Sequence, residues 1–489
     1  MSVNLKNLHP YKVWEHFATL CEIPRASLNE TALIEYLIEW AKKHGIKAAV
    51  DSGGNLILRK AASEGHEGRA PVAIQGHLDM VCQANSGCQH DFMRDPINAI
   101  VKDGWVVAEN TTLGADNGIG VALALAALEE ANLIHPAIEV LLTVNEECGM
   151  DGAHNLVPGT LQSKKLINLD SEEWGHFYLG CAGGIDVEVY HDCQQKQVPQ
   201  GYTLVRFDVF GLRGGHSGID IHLGRGNSIK LLAEALRDLS LHSDLCLIEI
   251  KAGTARNAIP RESYALCALP DDIASNIDTW IRHRCAAWQQ RFAQTDSGVR
   301  FSCSHYDEIP NAAVKSEERD RLLAFLDTAA NGVSDTSVDF PGVTDTSSNL
   351  GVVLLEKGAF KATFKVRSQS DARAAALADK LVSHAASYGL QAWKNGQYPG
   401  WTPDLASPLL ALCQRVYTRK FGRPAGLQVI HAGLECGLLV ASHPHLDIIS
   451  FGPNIRGAHA PGESVEIESV DRCWILLKAL LQELAETDS

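Results

Sequence analysis

The sequence contains no stretch approaching the roughly 18 consecutive apolar residues that a membrane-spanning helix needs. Its first 17 residues place Lys6, His9, Lys12 and Glu15 among apolar residues, so they lack the uninterrupted apolar core of a secretory signal peptide. We therefore expect no membrane partner and a cytoplasmic location.

The cysteines lack the spacing of a disulfide framework. There are 13 of them, an odd number, and no two form a Cys-x-x-Cys pair. This distribution is typical of free thiols in a reducing compartment. We expect all 13 to be free, and we expect Cys148 to pack against its neighbours rather than to bind a metal.

Positive charge is in deficit. The chain has 43 Lys and Arg against 59 Asp and Glu, which gives a formal net charge of -16. An acidic surface repels phosphate backbones, so nucleic acid is excluded as a partner. The length of 489 residues and the apolar fraction of 45% are those of a globular protein with two or more domains.

Short β-type runs alternate with helical ones up to residue 188 and again after residue 398. This alternation predicts an α/β fold in which a largely parallel mixed sheet lies between helices. The strand candidates are 55–58, 72–75, 138–144, 166–169, 428–430 and 447–451. Segment 118–131 is nearly all Ala, Leu and Val, which predicts a buried helix.

The pattern changes between residues 189 and 398, where strand-like runs flank amphipathic helices. This predicts a large α+β lid domain inserted into a catalytic domain that is formed by residues 1–188 and 399–489. The insert is also long enough for two α+β units side by side, and the sequence leaves both arrangements open. The turn-rich segment 331–349 predicts a loop.

Several side chains that can bind metals follow a predicted strand or open a helix. They are His77, Asp79, Asp116, Glu146, Glu147, Asp170 and His459. Because the carboxyl ends of strands form the ligand crevice of an open α/β sheet, we expect these residues to converge.

The chemistry of these side chains predicts a metal centre. Imidazole and carboxylate donors suit Zn²⁺, and Mn²⁺ or Co²⁺ also fit them. Five ligands that include one bridging carboxylate would hold two cations and activate a shared water. Of the consecutive Glu146 and Glu147, one would bind metal and the other would act as general base. Each residue alone has an ordinary explanation as a strand end, turn or helix cap, so the interpretation depends on their combination.

These motifs resemble those of the metallopeptidase family that includes carboxypeptidase G, aminoacylase-1, succinyl-diaminopimelate desuccinylase and carnosinase. Three further segments, at 180–184, 431–436 and 452–463, are similar to dipeptidases of that family. The resemblance covers nearly the whole chain and runs through His77-Leu78-Asp79, Gly114-Ala115-Asp116-Asn117-Gly118, Asn145-Glu146-Glu147, Leu169-Asp170, Gly214-Gly215-His216-Ser217-Gly218 and His459.

The resemblance implies a ligand set for two divalent cations. His77 and Asp170 would bind one cation, and Glu147 and His459 would bind the other. Asp116 would bridge them, and the peptide bond that follows it is expected to be cis.

The resemblance also implies roles outside the ligand set. Asp79 would orient the imidazole of the neighbouring ligand, and Glu146 would be the general base. In the lid, His216 would stabilise the oxyanion, Asn257 would approach the substrate, and Arg367 would pair with its free carboxylate. The Gly-rich segment 214–218 also suits a phosphate-binding loop, but no Lys follows as in a P-loop.

The resemblance implies hydrolysis of Xaa-His and other unblocked dipeptides. Two alternatives remain: an N-acyl amino acid deacylase that uses the same site, and a non-catalytic metal-binding scaffold. The core motifs do not separate the first two activities. The sequence also leaves open whether His216 acts within its own chain or across a homodimer.

Overall fold

The computed structural model of the chain describes residues 5–306, 310, 312–338 and 340–487. These residues form two compact units. The first unit comprises the described residues of Met1–Gly180, Pro403–Val429 and Leu434–Ser489. The second comprises the described residues of Cys181–Thr402, together with Ile430–Gly433.

The first unit is built on a mixed sheet whose four adjacent inner strands run parallel. In order across the sheet, the strands are Lys47–Val50, Leu56–Lys60, Ile138–Thr143, Val72–His77, Lys165–Asn168, Asp447–Ser450, His176–Cys181 and Gly426–Ile430. Every residue of Val72–His77 and Ile138–Thr143 is buried, as expected for parallel strands covered on both faces. The predicted α/β fold class is confirmed.

Helices pack around this sheet. They are Leu5–Asn7 (3₁₀), Tyr11–Glu22, Thr31–Lys43, Ala115–Glu129, Glu146–Gly149, Asp151–His154, Pro408–Phe421, Glu435–Ser442 and Ile467–Glu486. The predicted buried helix is Ala115–Glu129, whose residues from Asn117 to Leu128 are all buried. A small sheet adds the strands Ile455–Arg456, Ser464–Glu466, Trp105–Val107 and Ile100–Lys102. Among the described residues, no helix is long and apolar enough to cross a membrane.

The second unit is an α+β structure with one nine-stranded sheet whose strand pairs are antiparallel. Eight strands follow the order Arg300–Tyr306, Tyr202–Phe210, Ser263–Pro270, Cys246–Ala252, Thr344–Glu356, Ala359–Ser368, Gly183–Asp192 and Gln391–Tyr398, and Gly332–Thr336 pairs with Thr344–Glu356. Two small pairs join Gln195–Gln197 to Ala312–Val314 and Gly215–His216 to Ala258–Ile259. The helices are Ile221–Leu223 (3₁₀), Ser228–His242, Asp271–Ala274, Ile277–Arg291, Ser316–Thr328 and Asp371–Ser387.

The prediction of a loop at 331–349 is wrong. Strand Gly332–Thr336 and the start of strand Thr344–Glu356 lie in this segment, and residues 344–349 are all buried. Several of their polar groups have partners within the unit: the hydroxyls of Thr346 and Ser368 are 2.9 Å apart, and Arg373 donates to Asp345 at 2.7 Å. Turn-forming residue types can therefore fill a buried strand when a neighbouring strand and helix supply hydrogen-bond partners.

All 13 cysteines are free, as predicted. Cys148 is exposed, which contradicts the expectation that it packs. It lies at the exposed end of the short helix Glu146–Gly149, in which Glu146 and Glu147 are half-buried and Cys148 and Gly149 are exposed.

Candidate active site

The parallel strands of the first unit bring the predicted metal ligands together. His77 ends one strand and lies opposite Thr143, the last residue of the neighbouring strand. Glu146 and Glu147 follow that second strand, and Asp170 follows Lys165–Asn168 on the other side. Residues distant in sequence therefore meet at one edge of the sheet, as expected for this type of fold.

Asp116 lies between two histidines. Gly114 before it adopts a left-handed conformation (φ 71°), and Asp116 itself is extended, so its carboxylate projects from the start of helix Ala115–Glu129. The Asp116–Asn117 peptide bond is cis, as predicted. One carboxylate oxygen is 3.0 Å from Nε2 of His77, and the other is 3.2 Å from Nε2 of His459.

Two groups of potential ligands share this carboxylate. The first contains His77, Asp116 and Asp170, with 3.4 Å between His77 Nε2 and Asp170 Oδ1. The second contains Asp116, Glu147 and His459, with 3.0 Å between His459 Nε2 and Glu147 Oε1. Within each group the donor atoms lie within 4.8 Å of one another. Nitrogen and oxygen donors at this spacing fit two divalent cations.

The charges of this cluster also suit cation binding. Its acidic members are Asp79, Asp116, Glu146, Glu147 and Asp170. Hydrogen bonds that His459 donates to Asp116 and Glu147 raise its pKa to about 11, although burial opposes the shift. Burial, with repulsion from Glu147 and Asp170, raises the pKa of Glu146 well above its usual value against the attraction of His77. Bound protons thus offset part of the negative charge of the carboxylates in this cluster. A bound cation would displace these protons.

Asp79 has more partners than the sequence suggested. Its carboxylate lies 3.4 Å from Nδ1 of His77, as expected for a group that orients this imidazole. The two carboxylate oxygens also accept the backbone N–H groups of Glu146 and Glu147, at 3.0 and 3.1 Å, and Ser27 donates at 2.7 Å. Burial alone would raise the pKa of Asp79, but these donors and the charge of His77 hold it at about 2.

Asn117, for which the sequence predicted no role of its own, joins two ligand-bearing segments. Its side-chain oxygen accepts the backbone N–H of His77 at 3.2 Å, and its amide donates to the carbonyl of Leu169 at 2.7 Å. Gly76 leaves the space for it, since a Cβ there would lie 2.2 Å from the Asn117 oxygen. Its place directly after the bridging Asp116 was the available signal.

The predicted lid residues lie in the second unit. His216 pairs with Ala258 in a short antiparallel ladder, and Ser217 donates its backbone N–H to the carbonyl of the exposed Asn257 at 2.8 Å. Arg367 is 4% exposed. Its guanidinium donates to His216 Nε2 at 3.3 Å, to the Ser217 hydroxyl at 3.4 Å and to the Tyr398 hydroxyl at 2.7 Å. The unit therefore brings His216, the turn at Asn257 and Arg367 together.

Comparison with known proteins identifies the family. Residues 73–483 match the profile of Peptidase family M20/M25/M40. The chain belongs to this family. It is 41% identical over 482 residues to the cytosol non-specific dipeptidase of Escherichia coli (strain K12), covering 98% of this chain and 99% of the relative. The resemblance predicted from the motifs is confirmed.

Solved structures agree with this assignment. The fold matches that of aminoacylhistidine dipeptidase from Vibrio alginolyticus with a TM-score of 0.85, at 37% identity and with 98% of each chain covered. Human carnosine dipeptidase 1 shares the fold at a TM-score of 0.51 and 13% identity, again with 98% of each chain covered.

Proposed function

We propose that this member of the M20/M25/M40 family is a cytoplasmic dinuclear-metal dipeptidase that hydrolyses Xaa-His and other unblocked dipeptides. The main support for a dinuclear centre is the position of the Asp116 carboxylate. Its two oxygens lie 3.0 and 3.2 Å from Nε2 of His77 and of His459, respectively. The substrate class is supported by similarity to the E. coli protein named a cytosol non-specific dipeptidase and to the aminoacylhistidine dipeptidase structure.

The ligand groups support one assignment. His77 and Asp170 hold one cation, Glu147 and His459 hold the other, and Asp116 is shared. Zn²⁺ is the proposed metal because it favours imidazole and carboxylate ligands, and Mn²⁺ or Co²⁺ suit the same donors. When bound, the cation pair supplies an activated water nucleophile and electrostatic stabilisation of the developing oxyanion.

Glu146 is the proposed general base. It lies beside His77 and Glu147 but belongs to neither ligand group that contains Asp116, so its carboxylate remains available for proton transfer. Asp79 binds the backbone N–H groups of both glutamates and fixes the turn that presents them. Glu146 would take a proton from the attacking water and pass it to the leaving amine.

Arg367 is the proposed site for the free carboxylate of the substrate. Lys365, two residues earlier on the same strand, already has a carboxylate partner, Asp186, at 2.9 Å. The three acceptors of Arg367 are instead two hydroxyls and an imidazole. A buried guanidinium that has no carboxylate among these partners can bind a substrate carboxylate through two charge-assisted hydrogen bonds. His216 lies in the short ladder and Asn257 at its end, and both are proposed to contact the scissile carbonyl.

The deciding experiment compares two substrates, an Xaa-His dipeptide and an N-acetyl amino acid, on the purified chain. We expect the Zn²⁺-loaded protein to cleave the dipeptide, a chelator to abolish cleavage, and Zn²⁺ to restore it. Cleavage of only the N-acetyl amino acid would replace the dipeptidase with a deacylase. Cation binding without cleavage of either substrate would favour the alternative of a non-catalytic metal-binding scaffold.

A further inference from the structure

A single carboxylate binds the backbone of the loop that carries Asp116. Glu463, which is 2% exposed, accepts four consecutive backbone N–H groups. One oxygen accepts from Leu113 and Gly114 at 2.7 and 2.9 Å, and the other accepts from Ala115 and Asp116 at 2.8 and 3.2 Å. The carboxylate therefore fixes the direction from which Asp116 leaves the main chain.

A buried cation holds the opposite side of the same loop. Arg25, also 2% exposed, donates to the carbonyls of Leu78 and Asp79 at 2.8 and 3.0 Å and to the carbonyl of Gly114. Gly114 is required here, because a Cβ would lie 2.4 Å from the guanidinium. Arg25 thus links the Asp116 loop to the strand end that follows His77.

We propose that Glu463 and Arg25 are positioning residues that set the geometry of the metal centre through the backbone alone. The proposal rests on the metal centre of the proposed function. Glu463 lies four residues after His459, so it ties that ligand's segment to the loop of the bridging Asp116. Arg25 ties the same loop to His77. Together they connect the segments of three ligands without using a ligand side chain.

The physical reason is the cost of leaving buried backbone donors unsatisfied. Four N–H groups point at Glu463, and no water-exposed alternative exists for a buried loop that has lost its acceptor. Glu463→Gln keeps the shape of the side chain but turns an NH₂ group towards two of these donors. The loop must then move, which changes the distances from the Asp116 carboxylate to His77 and His459. Removing a group that orients metal ligands typically lowers metal affinity by about 10–100-fold.

Glu139 provides a matched control in the same unit. It is 3% exposed and accepts the backbone N–H groups of Gln162 and Ser163, both at 2.9 Å. It lies at the amino-terminal end of strand Ile138–Thr143, away from the end that meets the ligands. Glu139→Gln therefore removes the same kind of buried contact without touching a ligand segment.

The test measures Zn²⁺ affinity by competition with a chromophoric chelator for the full chain and for Glu463→Gln, Arg25→Lys and Glu139→Gln, with circular dichroism of each. We expect folded proteins, affinity about 10–100-fold weaker for the first two variants, and unchanged affinity for Glu139→Gln. Arg25→Lys keeps the positive charge but loses the planar guanidinium, which donates to several carbonyls at once. It therefore tests the proposal even if Glu463→Gln fails to fold.

The two proposals can fail separately. If the unaltered chain does not bind Zn²⁺, the proposed metal centre is wrong. If it binds Zn²⁺ and the folded variants at 463 and 25 bind it equally well, the positioning proposal is overturned. Equal weakening in all three variants would also overturn it, because a general loss of stability would then explain the effect.

Discussion

Glu146 and Glu147 are consecutive residues with the same side chain, so only their surroundings can give them different roles. Glu147 lies 3.0 Å from His459 and shares a ligand group with Asp116. Glu146 belongs only to a third group, with His77 and Glu147, which does not contain Asp116. Asp79 accepts the backbone N–H groups of both glutamates, which fixes the turn that carries them. The two carboxylates can therefore take different roles.

Paired substitutions test this division. Glu146→Gln should lower kcat by about 10²–10⁴-fold, the usual contribution of a general base, while metal content stays near two cations per chain. Glu147→Gln should lose bound metal as well as activity, because it removes a charged ligand. Both quantities are read from steady-state kinetics and elemental analysis. Metal loss from Glu146→Gln with retention in Glu147→Gln would mean that the two roles are reversed.

The proposed role of Arg367 predicts that the substrate needs a free C-terminal carboxylate. Arg367→Lys should lower kcat/KM for dipeptides by about 10² or more at unchanged metal content, the scale of a lost buried charge pair of about 3 kcal/mol. C-terminally amidated dipeptides should be poor substrates for the unaltered chain. The control is Arg319→Lys, a buried arginine of the same unit whose partners include Asp320 and the carbonyl of Leu245. Equal cleavage of amidated and free dipeptides would remove the carboxylate-binding role of Arg367.

At the scale of elements, apolar runs were predictable and polar ones were not. The strands that carry His77 and precede Glu146 read Val-Ala-Ile-Gln-Gly-His and Ile-Glu-Val-Leu-Leu-Thr, so most of their residues are apolar, as in a buried strand or helix. The strand at 344–349 reads Thr-Asp-Thr-Ser-Ser-Asn, a composition typical of turns. Its hydrogen-bond partners include Ser368 on the neighbouring strand and Arg373 on helix Asp371–Ser387, and local sequence does not reveal them.

The same limit applies to the site. Residue types that follow strands or open a helix marked every proposed ligand as a candidate, because parallel pairing brings strand ends together whatever lies between them. The division of these ligands between two cations came from the family resemblance. Arg25 and Glu463 escaped a functional assignment because their contacts are to distant backbone atoms, about 50 to 90 residues away for Arg25 and about 350 for Glu463. No local pattern in the sequence marks a side chain whose main-chain partners lie this far away in the chain.

One helix end of the second unit depends on a lysine. Lys230 donates to the carbonyls of Leu326, Asp327 and Ala329 at 2.7, 2.6 and 2.7 Å, where helix Ser316–Thr328 ends. Lysine near a helix C-terminus satisfies carbonyls that lack an intrahelical partner.

Lys230→Met keeps much of the aliphatic stem but removes these charged hydrogen bonds, so the unit should lose about 1–3 kcal/mol of stability. Lys315→Met, at an exposed lysine just before the same helix, should change stability by less than about 0.5 kcal/mol. Calorimetric unfolding of both variants makes the comparison. Equal effects of the two substitutions would mean that the carbonyl contacts of Lys230 contribute nothing.

At the scale of the molecule, the proposed ligands span residues 77 to 459 in sequence, yet all of them belong to the first unit. The lid residues His216, Asn257 and Arg367 all belong to the second. Cation binding and carboxylate binding are therefore assigned to different units, and their effects on local stability should be separable.

Hydrogen exchange followed by mass spectrometry tests this separation. A cation at about 100 times its Kd stabilises the state that binds it by about 2.7 kcal/mol, so amides that exchange through opening of the first unit should slow markedly when Zn²⁺ is added to the metal-free chain. The effect should be greatest in segments 72–80, 113–118, 143–148, 168–171 and 457–463. Segments 215–218 and 363–368 should change little, because no proposed ligand lies in their unit. Glu147→Gln, which lacks one ligand, should show a smaller response in the same first-unit segments. Slowing that is equal in both units, or confined to the second, would show that the cations bind elsewhere than at the centre formed around Asp116.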